Sequence, residues 1–198
     1  MSFIEEQRRR QIIDATIAVL ARNGVAQTSL SRIAAEAGIS KSVISYHFNG
    51  KDEIFEQLFA TISARIETAL VPQIEKATTS WDRLSAYIGG QLNYMREHRE
   101  ELLAIGHIAL SYIGTGTTPD YIARTSIEEH NLLRDWLIEG QAEGSFAAFD
   151  ADVMAATISG AIESTLSRWA ENPGIDLDHY AKELIALFHR AIKGGNDG

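Results

Sequence analysis

The stretch "TSLSRIAAEAGISKSVISYHFNGKDEIF", residues 28–55, decides how this chain is read. Thr28 reads as the N-cap of a helix of about nine residues closed by Gly38, and Ser40 as the cap of a shorter one that stops near Phe48. Asn49 and Gly50 supply the next turn. Two short helices joined by a tight glycine turn have the layout of a helix-turn-helix. A helix of about two turns cannot persist alone in water, so Ile39, Ile44 and Phe48 are expected to dock against Ile33, Ala34 and Ala37. That leaves Lys41, Ser42, Val43, Ser45, Tyr46 and His47 outward. This set is too mixed for a core and too sparsely charged for an ordinary solvated face.

Outward from this stretch the chain reads as all-α. Apolar residues recur with a helical period between breakers, and the three prolines fall at Pro72, Pro119 and Pro173. A first helix is expected from Glu5 to Arg22, capped by Gly24. A fourth begins at Lys51, with Asp52 and Glu53 in its first turn, and continues towards Pro72. Ser80 reads as the cap of a fifth helix, and residues 100–114 form a sixth. Thr118, Pro119 and Asp120 start a seventh that reaches about Gly140. Asp150 or Asp152 opens an eighth through Ala170, and residues 177–193 make the ninth. The expected organisation is a helix-turn-helix domain over 1–50, a larger helical domain over 51–193 and a flexible tail over 194–198.

Composition removes several classes of function. There are no cysteines, hence no disulfide framework and no thiolate chemistry. The N-terminus lacks an apolar signal region, and the longest apolar run, residues 101–114, is shorter than the roughly 20 residues a membrane span requires. A cytoplasmic protein without a membrane partner is expected. The net charge of −9 argues at first against a nucleic-acid partner. Its distribution reverses that reading: residues 1–58 carry seven basic and seven acidic side chains, so all of the excess acid lies further on. Between Gly38 and Lys51 there is no carboxylate.

The third helix therefore has the chemistry for a DNA major groove. Ser42 and Ser45 are small enough for close approach, Val43 suits a thymine methyl, and Tyr46 and His47 offer donors. Lys41, Lys51 and the helix start at Thr28 suit phosphates. Arg8, Arg9 and Arg10 are open to two readings, a solubilising tail or an arm reaching phosphate or the minor groove.

On these residues the chain resembles the DNA-binding domain of TetR-family transcriptional regulators. The shared pattern is the Thr cap, Ile-Ala at 33–34, Ala-Gly-Ile-Ser at 37–40, the aromatic close of the recognition helix, and Lys-Asp opening the next. "GQAEGSF" at 140–146 and "ENPG" at 171–174 resemble the turns before and within the family's last helix pair. Ser42 and Ser45 depart from the Gly and Tyr common there, which bears on the operator sequence. The resemblance implies a homodimeric repressor that binds a palindrome in double-stranded DNA, with recognition helices about 34–36 Å apart. A small-molecule effector of unknown identity would release it, with no cofactor.

In the second domain Trp81, Tyr87, Tyr94, His98, His107, Tyr112 and Trp136 are candidate ligand-contacting residues, each equally readable as core. By resemblance Val153, Ile158, Ala161, Ile162, Leu184, Leu187 and Phe188 form the dimer interface, although intramolecular packing would use them too. His98 and Glu101 share a helix face, but no second pair completes a metal site. Nothing in the chain points to a catalytic group. The competing reading is an all-α ligand carrier or enzyme that uses the first three helices only for packing. It leaves the acid-free run from Gly38 to Lys51 without a cause.

Overall fold

The computed structural model describes residues 2–193, so the expected tail at 194–198 lies outside the described residues. Among them every regular element is helical. The helices are α1 Phe3–Asn23, α2 Leu30–Glu36, α3 Lys41–His47, α4 Lys51–Ile74, α5 Ser80–Glu97, α6 Arg99–Ser111, α7 Asp120–Ala142, α8 Ala151–Glu171 and α9 Leu177–Lys193. A single 3-10 turn, Val25–Gln27, lies between α1 and α2.

Several ends differ from the sequence expectation. Helix α1 starts at Phe3 rather than Glu5, because Ser2 and Glu5 form a reciprocal cap: the Ser2 hydroxyl accepts the Glu5 N–H at 3.3 Å and Glu5 accepts the Ser2 N–H at 2.7 Å. Arg8, Arg9 and Arg10 are therefore helical and do not form a tail ahead of the helix. The N-cap of α2 is Ser29, not Thr28. Ser29 accepts the Arg32 N–H at 3.3 Å, whereas the Thr28 hydroxyl donates backwards to the Gly24 carbonyl at 2.7 Å. The cap of α5 is Thr79, which accepts the Asp82 N–H at 3.0 Å, while the Ser80 hydroxyl donates to Glu143 at 2.6 Å. Asp150 caps α8 by accepting from Asp152 and Val153. Pro72 lies inside α4, near enough to its end that the helix continues to Ile74.

The chain divides into two compact units, Met1–Ala64 with His98–Ile122, and Arg65–Glu97 with Ala123–Gly198. Helix α4 begins in the first and ends in the second. In the first unit, α1 packs on α2, α3 and α6. Its core is built from Ile12, Ile13 and Leu20 of α1, Ile33 of α2, Ile44 of α3 and Phe55 and Leu58 of α4. Each such side chain contributes about 1.5–3 kcal/mol by leaving water. In the second unit, α5 packs along α9 and α8. Leu84, Ile88 and Leu92 of α5 are buried there, as are Leu133 and Leu137 of α7.

The turn between α7 and α8 is set by Gly140. Its carbonyl accepts the N–H groups of Ser145 and Phe146 at 2.9 and 3.0 Å, and the buried Phe146 ring occupies the space a Cβ would fill. Gly140→Ala should overpack this corner at a cost of about 1–3 kcal/mol. We expect a thermal midpoint lower by roughly 3–8 °C. A midpoint equal to wild type would show that Phe146 swings aside freely.

Candidate functional site

Helix α3 is held in three ways. Ile44 is fully buried, Phe48 is 2% exposed, and the turn from α2 is closed by the Ile39 N–H donating to the Ala34 carbonyl at 3.0 Å. Gly38 adopts a φ of 65° in that turn, a left-handed conformation that a side chain would strain. Ser40 caps the helix by accepting the Val43 N–H at 3.4 Å, and Gln11 of α1 donates to the Ala37 carbonyl at 2.7 Å.

With that face fixed, Lys41, Ser42, Ser45 and Tyr46 are exposed on one arc of about 140°. Tyr46 is 77% exposed, a large aromatic in solvent. Val43 and His47, expected in the same outward set, are half-buried and lie outside that arc. The His47 and Tyr46 rings meet edge to face at 5.0 Å. The Ser42 hydroxyl shares a hydrogen bond with Ser40 at 2.8 Å. Thr28 is 3% exposed with its hydroxyl committed to Gly24, so it presents little side-chain surface.

The electrostatics sharpen the same face. Three glutamates of this unit are matched internally: Glu53 with Arg9 at 3.2 Å, Glu36 with Arg22 at 2.5 Å, and Glu6 with Arg10 at 3.3 Å. Lys41, at the start of α3, and Lys51, at the start of α4, enter none of these pairs. Lys51 lies over the Phe55 ring at 5.5 Å. The ammonium groups of these two lysines are therefore outside the internal ion pairs of the unit. A two-turn helix with small residues on its free face, docked rigidly and flanked by unmatched cations, has the dimensions of a major-groove reader.

Comparison with known proteins agrees with this geometry. The family model "Bacterial regulatory proteins, tetR family" matches residues 12–58, the segment that carries the docked α3. The chain is 25% identical over 164 residues to the fatty acid metabolism regulator protein of Bacillus subtilis strain 168, covering 82% of this chain and 83% of that protein. Over residues 12–58 the chain is thus similar to the DNA-binding segment of TetR-family regulators. The matched segment runs from α1 into α4 and includes the helix-turn-helix pair of α2 and α3. The fold of the chain is shared by FadR of Bacillus subtilis in complex with stearoyl-CoA, with a TM-score of 0.77 at 24% identity over 92% of this chain and 98% of that one. A Saccharomonospora viridis structure in complex with choline, titled a putative transcriptional regulator, shares it too, with a TM-score of 0.83 at 21% identity over 96% and 99%. Among the described residues, no helix is long and apolar enough to cross a membrane.

The candidate ligand residues divide between the two units. In the second unit Tyr87 and Trp136 meet at 6.0 Å, edge to face, while Trp81 stacks on His189 at 4.5 Å and Tyr94 is buried. In the first unit His98 takes the N-cap position of α6, Tyr112 closes that helix, and the His107 ring lies against the turn at Gly24. The sequence reading missed the acidic partners of Tyr87. Its hydroxyl donates to Glu129 of α7, 42 residues away, and burial followed by the Glu129 charge raises its pKa well above the ordinary phenol value. Arg83 pairs with Glu139 at 2.5 Å and lies 5.8 Å over the Trp136 ring.

Of the expected interface set, Ile158 and Ile162 of α8 and Phe188 of α9 are buried within the protomer, and Ala161 of α8 and Leu184 of α9 are half-buried. Val153 and Leu187 are 62% and 51% exposed and retain apolar surface. Glu163 also lies on α8, and partial burial, then the nearby Glu129 charge, raises its pKa. The native state thus holds that proton more tightly than the unfolded chain. The residue costs stability at neutral pH, and the cost fades as pH falls towards the ordinary carboxylate value. Glu163→Gln should raise the thermal midpoint slightly at pH 7, screened by the exposure of the residue, and the gain should fade as pH falls through the ordinary carboxylate range. A loss of stability at pH 7 would reverse the assigned sign.

Proposed function

We propose that this protein is a cytoplasmic repressor that binds a palindromic operator as a homodimer, without catalytic activity, and leaves it when a small molecule occupies its second unit. The observation that carries the reading is the α3 arc: Lys41, Ser42, Ser45 and Tyr46 exposed on a helix docked by Ile44 and Phe48. In this reading Ser42, Ser45 and Tyr46 contact base edges, Val43 and His47 the groove wall, and Lys41, Lys51 and the backbone beside Thr28 the phosphates. Ala161, Gly160 and the exposed Val153 and Leu187 supply the contact between two copies, at which α8 and α9 of each meet. Two half-sites one helical turn apart place the paired recognition helices about 34–36 Å apart.

For the effector, the fold shared with FadR of Bacillus subtilis in complex with stearoyl-CoA, together with similarity to the Bacillus fatty acid metabolism regulator over most of the chain, supports a long-chain acyl thioester. A second class has its own support in Glu129 and Glu163, which lie near the buried Tyr87 beside Trp136 and favour an organic cation such as choline. Either ligand needs to bind the two states of the regulator with a difference of about 1–3 kcal/mol to change operator affinity about 5- to 150-fold.

Selection from a randomised duplex pool at modest salt should enrich a palindrome; recovery of no symmetric site would sink the repressor reading. On the selected operator, Lys51→Ala should weaken binding to all duplexes alike and shallow the salt slope by about 1. A loss confined to one sequence would contradict a phosphate role. Ser45→Ala should alter the selected sequence, and an unchanged site would remove Ser45 from the reading set. Stearoyl-CoA and choline, titrated separately into the labelled complex, distinguish the effector classes by which one lowers the anisotropy.

A further inference from the structure

Arg9 stands between the half-buried Arg8 and the exposed Arg10, and its own side chain is only 21% exposed. Its guanidinium donates through Nη1 to the carbonyl of His47, at the C-terminus of α3, and through Nη2 to Glu53 Oε1 at 3.2 Å. Its flat face covers the Phe48 ring at 4.0 Å. The other Glu53 oxygen accepts both the backbone N–H and the side-chain amide of Asn49 at 2.8 Å. One cation and one carboxylate thus join α1, the last turn of α3, the bend at 49–50 and the first turn of α4.

A helix of seven residues leaves its terminal carbonyls largely without partners inside the helix, so an outside donor has leverage on how its last turn ends. The residues around that last turn, Tyr46, His47 and Lys51, are those that the regulator reading assigns to DNA. Arg9 also has its charge matched by Glu53, unlike Lys41 and Lys51. It is poorly placed to release counterions by neutralising a phosphate.

We propose that Arg9 and Glu53 are positioning residues for operator recognition, a latch that sets the exit of α3 and the start of α4, and that Arg9 acts on DNA through this geometry rather than by touching phosphate. The proposal rests on the DNA-binding reading above. Planarity is part of the device: one guanidinium bonds a carbonyl and a carboxylate while stacking on an aromatic ring, which an ammonium cannot do. Glu53 links the latch to α4, the helix that continues into the second unit.

The test uses the full-length protein with Arg9→Met, Arg9→Lys, Glu53→Gln and the Arg9→Met/Glu53→Gln double variant. Affinity for the selected operator and for an unrelated duplex is measured across a salt series. Each single variant should lose roughly tenfold or more in operator affinity, with Arg9→Lys between Arg9→Met and wild type. Affinity for the unrelated duplex and the salt slope should stay at wild-type values. The double variant should lose no more than the worse single one, since both break the same latch.

A role confined to folding would lower both affinities together in proportion to the folded fraction, and that result would overturn the proposal. A slope shallower by about 1 for Arg9→Met would make Arg9 a phosphate ligand and overturn it too. Additive losses, or an unaltered operator affinity, would do the same. Glu53→Gln keeps an acceptor for Asn49 and serves as the conservative probe if Arg9→Met does not fold. Failure of the wild type to bind any duplex would instead remove the regulator reading itself, a result separate from failure of the latch.

Discussion

The docking of α3 is the constraint on which the rest of the N-terminal unit depends. A seven-residue helix does not form in water on its own, because nucleation consumes more backbone entropy than so few hydrogen bonds return. Ile44 and Phe48 supply the missing stabilisation by entering the core beside Ile33, and Arg9 covers the Phe48 ring from α1. The same apolar contacts fix which side of the helix faces outward. The exposed arc of Lys41, Ser42, Ser45 and Tyr46 is thus a consequence of packing on the opposite side.

Charge in this unit follows a similar division. Arg9, Arg10 and Arg22 are each opposed by a glutamate within the unit, and Arg8 and Arg32 bond the neutral amides of Gln11 and Gln27. The two lysines flanking the arc are left without acidic partners among the described residues. Exposed ion pairs of this kind add little stability. Their effect here is on the distribution of charge: in an acidic protein of net charge −9, the two lysines at the starts of α3 and α4 stay outside these pairs.

The C-terminal unit is built on different lines. Among the described residues it has no helix as short as α2 or α3, and its interior is largely aliphatic, interrupted by Tyr87 donating to Glu129 and by Ser80 donating to Glu143. A polar group inside such a core persists only with a partner, and a pair of neighbouring carboxylates raises the cost of both being charged. The exposed Val153 and Leu187 leave apolar surface on the last two helices, outside the protomer's own core.

The all-α class, the order of the helices and the docked identity of Ile44 and Phe48 were determined by the sequence alone, because apolar periodicity, caps and glycine turns act over three to four residues. The acid-free run beside α3 was legible for the same reason. Local spacing could not choose between Thr28 and Ser29 as the cap of α2, since both hydroxyls are competent. Only the folded turn, which brings the Gly24 carbonyl to Thr28, decided for Ser29. Nor could it show that the middle arginine of three is bound to Glu53, 44 residues on, or that Tyr87 meets Glu129, 42 residues on. Those pairings have no local signature, because they exist only once packing has closed the intervening chain, and the tertiary structure alone decides them.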